Sequence, residues 1–99
     1  MPMRINVACE AIEKGCCLEL DYGDYCVVVE PHAVGTDHNG RAAVLGWERT
    51  DSSNGHPGEW RFLDLDRPRS VSVSGYLSEA PRPDFRRDSA RFAKLCCQA

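Results

Sequence analysis

Two arginines stand out as residues able to do chemistry with a ligand. Arg61 alternates with Trp60 and Phe62 in an apolar run, and Arg67 follows six residues on. A planar guanidinium grips a phosphate or carboxylate through two parallel hydrogen bonds, so two of them near a concave sheet would form an anion site. The same pair can instead be tied to carboxylates such as Glu30 or Asp66, and would then only stitch the surface together.

Other chemistries are not spelled out. The histidines are His32, His38 and His56. No spacing marks a cysteine–histidine dyad and no oxyanion motif accompanies one, so an enzyme is not expected. Asp64 and Asp66 read as the flanks of a strand end rather than an acid–base pair. Asp37 and His38 lack a second pair at ligand spacing, so no metal is expected. No glycine-rich loop precedes a helix, so no phosphate-cradling motif and no cofactor is expected. The six cysteines are Cys9, Cys16, Cys17, Cys26, Cys96 and Cys97. They include two vicinal pairs and no Cys-x-x-Cys, and Met1 to Asn6 has no signal-peptide pattern. The expectation is a cytoplasmic protein with reduced thiols, no structural disulfide and no zinc.

The elements that must position the arginines follow from periodicity. Ile5, Ala8, Cys9 and Ile12 make one face of a helix that ends at Gly15. Cys16–Tyr22 and Tyr25–Glu30 alternate around Gly23-Asp24, a two-residue hairpin turn. That turn sets Tyr22 opposite Tyr25, Leu20 opposite Val27 and Leu18 opposite Val29 on a core face. Asn39-Gly40 marks a second hairpin, with Val34 opposite Leu45 and His32 opposite Trp47. Pro31 signals an edge, bend or bulge between the hairpins. Residues 50–58 read as a polar loop, Trp60–Leu65 as a fourth strand, and the Val71–Val73 region as a fifth. Pro81 and Pro83 make an extended link. Phe85, Asp88, Phe92, Leu95 and Cys96 give a C-terminal helix capped by Asp84 or Asp88. The fold class predicted is α+β, mainly β: a five-stranded antiparallel SH3- or Sm-like partly open barrel flanked by N- and C-terminal helices.

Bulk properties bound the partners. The chain has 99 residues, 42% of them hydrophobic, which suits one domain over 1–99. A net charge of −3 argues against non-specific binding to duplex DNA. No apolar run approaches a membrane span, so no membrane partner is expected. Arg82, Arg86, Arg87, Arg91 and Lys94 make the C-terminal end basic, and the first third is acidic.

The order of Leu18-Glu19-Leu20-Asp21-Tyr22, Val29-Glu30-Pro31-His32, Gly40-Arg41, Leu45-Gly46-Trp47 and Arg61 to Arg67 resembles the WYL domain family, above all its short members. Pro81-Arg82-Pro83-Asp84-Phe85 is similar to the tail of those members. Ala42-Ala43-Val44 stands where the family carries its Trp-Tyr-Leu. The resemblance implies a bacterial or phage sensing module used in transcriptional regulation, with a nucleotide or short single-stranded nucleic acid as ligand. Arg61 and Arg67 match the family's strand arginines, and Trp47, His32 and Arg41 complete the candidate ligand-binding set. The alternative is a module that binds a partner protein and keeps the fold without an anion site.

Overall fold

The computed structural model describes residues 3–49 and 58–99, so all but the last residue of the loop expected at 50–58, His56 included, lies outside the described residues. Helix α1 (Met3–Lys14) is followed by strands β1 (Cys16–Asp21), β2 (Cys26–Asp37), β3 (Ala42–Glu48), β4 (Glu59–Asp64), β5 (Ser70–Leu77) and β6 (Phe92–Gln98). The helix buries Ile5, Ala8 and Ala11 and ends where the Gly15 amide donates to the Ile12 carbonyl at 3.2 Å. Its small residues let the helix backbone lie close to the sheet.

The strands form one six-stranded antiparallel sheet in the order β4-β3-β2-β1-β5, with β6 added against β2. Strand β2 is the spine. Its residues 29–36 pair with β3, while its other edge is shared by β1, on residues 26–29, and β6, on residues 33–37. The sheet has six strands rather than five and does not close.

The first hairpin has the register its turn dictates, with Leu18 opposite Val29 and Leu20 opposite Val27. Leu18, Leu20 and Val29 are fully buried. They join Val34, Val44 and Leu65 in a core beneath α1. The second hairpin departs from expectation by one residue. Asp37 and Arg41 close its end, and Gly40 at φ 80° supplies the left-handed residue of a three-residue loop. Val34 therefore faces Val44, and Leu45 faces Ala33. A further shift between Pro31 and Ala33 is a bulge at His32, so Trp47 pairs with Glu30 rather than His32.

Two expectations are corrected. The C-terminal helix is strand β6. Its apolar residues Phe92, Leu95 and Cys97 have irregular spacing because the β2–β6 ladder shifts register twice. Bulges of that kind turn a period of two into spacings of three that mimic a helix face. Asp88 at φ 58° is also incompatible with a continuing helix. Gly35 makes the strand possible, since a Cβ there would run into the Lys94 carbonyl.

The second correction is the disulfide. Cys9 on α1 and Cys97 on β6 are bonded, with Cα atoms 5.9 Å apart. Rejecting bridges within vicinal pairs left untouched a bridge that uses one member of such a pair. Cys16, Cys17, Cys26 and Cys96 are free thiols, and Cys17 is fully buried. No described helix is long and apolar enough to cross a membrane.

Candidate functional site

The two sheet faces sort the candidate residues. Successive strand residues point to opposite faces. Val44 and Leu63 face α1, so Arg61 shares their side of β4 and Gly46 their side of β3. Ala43, Leu45 and Phe62 face the other way, where Phe85 and Phe92 cover them, and Trp47 and Trp60 belong to that side. Trp47 and Arg61 therefore stand on opposite faces, and the structure does not bring them together.

Arg61 and Arg67 both act on Tyr22 through their charge. Burial pushes the Tyr22 phenol up and Tyr25 adds to the effect, while the positive charges of Arg61 and Arg67 pull it back down. The Tyr22 ring stacks on Tyr25 with centroids 5.0 Å apart and planes 16° apart. Tyr25 is 60% exposed, so the stack presents an open ring. Arg69 lies over the same hairpin tip, its Cδ 3.0 Å from where a Cβ on Gly23 would be. The turn that carries Arg67 and Arg69 is anchored from below. Arg4 of α1 donates to the carbonyls of Leu65 and Pro68, each at 2.7 Å, and of Arg69 at 3.0 Å.

Arg61 is not idle at this rim. It lies 3.3 Å from a Glu48 carboxylate oxygen and 3.4 Å from one of Glu59. These pairs are partly exposed, and surface pairs contribute about 0–1 kcal/mol, little enough for a phosphate to compete. Arg67 is exposed and has no ion pair among the described residues. Arg41 sits at the second hairpin end, 3.4 Å from an Asp64 oxygen.

His32 and Trp47 belong to a different cluster on the far face. Glu30 is fully buried and held by a fork from Arg82, with Nε at 2.6 Å from Oε1 and Nη2 at 3.2 Å from Oε2. Arg49 Nε approaches Oε2 at 3.4 Å. The Arg82 guanidinium also lies over the Trp47 ring, 4.7 Å from its centroid. His32 is fully buried as well. Its Nε2 accepts the Arg82 backbone N–H at 3.0 Å, so Nδ1 carries the proton and donates to the Glu30 carbonyl at 2.8 Å. Burial lowers the His32 pKa, and the Glu30 carbonyl and carboxylate oppose this. Trp60 completes the cluster by donating its indole N–H to Asp84 at 2.8 Å, which holds that carboxyl below its ordinary value.

Every buried side-chain nitrogen and oxygen among the described residues has a partner. The far-face cluster is thus a clamp that fastens the segment after β5 to the sheet, its buried polar atoms all satisfied within the protein. Sequence reasoning missed Glu30 and Arg82 as partners because 52 residues separate them. The two prolines that bracket Arg82 were the available signal, since they fix its backbone. No protein-family model, curated protein or solved structure matches the chain.

Proposed function

We propose that this chain is a small binding module, without catalytic machinery, that holds a nucleotide or a short single strand of nucleic acid at the Arg61–Arg67–Arg69 rim. One observation carries the reading: Tyr22 stacks on Tyr25, whose ring lies open to solvent, at a hairpin tip over which Arg69 lies in the turn that also carries Arg67. A base stacked on an aromatic ring gains about 1–3 kcal/mol, and guanidinium groups beside it match phosphate oxygens. Tyr25 takes the stacking part expected of Trp47. The net charge of −3 makes the site local, so a nucleotide or short strand is favoured over long duplex. The resemblance to the WYL domain family supports a sensing role in transcriptional regulation, in which ligand occupancy is the signal.

A second reading, an assembly module, has its own support. Strand β5 ends the sheet, and Tyr76 and Leu77 on it are 61% and 73% exposed.

The test is a titration of the full chain with ATP and with a ten-nucleotide oligothymidylate, read by anisotropy and by the rise in melting temperature that a ligand of the folded state must give. Binding that weakens roughly tenfold in Arg61→Gln/Arg67→Gln and in Tyr25→Ala supports the rim, at the strength expected of charge-assisted contacts and stacking. No binding at millimolar concentration sinks it. Concentration-dependent dimers in light scattering, indifferent to nucleotide, would favour assembly.

A further inference from the structure

A cavity of about 400 Å³ opens on the far face, between β3–β4 and the irregular segment at 84–90. It is separate from the rim, because its wall residues Leu45 and Trp60 point away from Arg61. The volume lies at the low end of small-molecule pockets, room for a ligand of one or two rings.

Its floor is aromatic and pre-set. Trp60 and Phe85 lie with centroids 6.2 Å apart and planes 28° apart. Trp60 is fixed by its bond to Asp84 and by edge contact with His32 at 4.7 Å. The far wall is pinned where His38 Nε2 donates to the Ala90 carbonyl at 2.8 Å. A floor that does not have to reorganise favours binding.

The charges around the cavity decide the ligand. Asp84 is engaged by Trp60. Asp88 exchanges two hydrogen bonds of 3.0 Å with the Gln98 amide. Arg87 donates to the Ala99 carbonyl. Arg86 lines the cavity, is exposed, and has no hydrogen bond or ion pair among the described residues. Arg86 thus offers an uncommitted guanidinium beside an aromatic floor, in a lining where two arginines balance two carboxylates.

The geometry points to a second binding site here, for a planar aromatic compound bearing a single carboxylate. The ring lies against Trp60 and Phe85, and the carboxylate takes the guanidinium of Arg86 in a two-point bond. Because Asp84 and Asp88 balance Arg86 and Arg87, this lining favours a monoanion over a polyphosphate, the opposite preference to that of the arginine rim.

The experiment titrates the intact chain with indole-3-carboxylate and with its neutral carboxamide, following the Trp60 indole N–H and the Ala90 amide by NMR. The expected result is saturable shifts at both signals with a Kd on the order of 0.1–1 mM for the carboxylate. The carboxamide should bind at least about fivefold more weakly, and Arg86→Gln should bring the carboxylate down to that level. Ala90→Leu, which fills the cavity, should abolish the shifts while the far-ultraviolet spectrum stays unchanged, and Arg61→Gln should leave the affinity unaltered. Equal binding of the two compounds, no shift at about 10 mM, or an affinity untouched by both Arg86→Gln and Ala90→Leu would overturn the site. ATP binding at the rim is read separately, so either site can fail without the other.

Discussion

The two faces of this sheet are covered by different means. One is covered by α1, whose backbone satisfies its own hydrogen bonds and which is held by apolar contact through Ile5, Ala8 and Ala11, by the Cys9–Cys97 bridge and by Arg4 at one end. The other is covered by an irregular segment that has no such internal ladder. It is held instead by named polar contacts: the Glu30–Arg82 fork, the Arg82 N–H on His32, and the Trp60–Asp84 bond. Apolar packing is non-directional and tolerates small shifts. A buried charge pair is directional and fails once one partner is lost. The segment that forms the 84–90 cavity wall is therefore the conditional part of the fold, and the helix side is the constant part.

The largest expected effect tests the helix side. The Cys9–Cys97 bridge joins residues 88 apart and ties α1 to β6. Closing a loop of that length removes unfolded-state entropy worth about 4 kcal/mol. Cys9→Ser should lower unfolding stability by roughly that amount and raise hydrogen exchange in α1 and β6 first. Alkylation in denaturant without reductant should label four thiols, Cys16, Cys17, Cys26 and Cys96. Six labelled thiols would mean that α1 is held without a covalent tie.

Next in size is the clamp. Arg82→Gln leaves a fully buried Glu30 carboxylate with only the 3.4 Å approach of Arg49. Stranding a buried charge costs about 3 kcal/mol or more. Exchange should rise over residues 79–90 before it rises in α1. Glu30→Gln together with Arg82→Gln should recover part of the loss, because no charge is then left stranded. Equal loosening of both faces would erase the contrast between them.

What the sequence made legible was local. The first hairpin was readable to the residue pair because a two-residue turn and strict alternation agree within a dozen residues. That Arg61 lies on a strand and Arg67 in the turn after it was readable because both fall within one short stretch of chain. Trp47 was misplaced because parity was lost at Pro31, where the bulge at His32 and the extra loop residue near Gly40 each shift register by one. The strand at Phe92–Gln98 was hidden by bulges that imitate a helix. The Glu30–Arg82 pair was hidden by chain separation, since no local pattern encodes a contact between a strand and a distant irregular segment.

The smallest expected effect is a pH dependence confined to the clamp. His32 accepts the Arg82 N–H at Nε2 and donates from Nδ1, so it has one neutral tautomer that fits. A second proton on Nε2 would set donor against donor in a buried place. Burial is the largest influence on its pKa and lowers it; the Arg82 charge acts the same way, while Glu30 and Asp84 oppose. The unfolded imidazole titrates near about 6.5. Between that value and the lower folded one, the unfolded chain binds more protons, so stability must fall as pH drops below about 6.5 and stay flat above it. The melting temperature should therefore decline between about pH 7 and pH 5, with exchange rising first around Arg82 and not in α1. His32→Gln, which can still donate and accept but does not titrate, should flatten that decline. His38→Gln, at the exposed contact with Ala90, should leave it in place. If the decline survives His32→Gln, the pH response does not originate in the clamp, and the far face is conditional only on its charge pair.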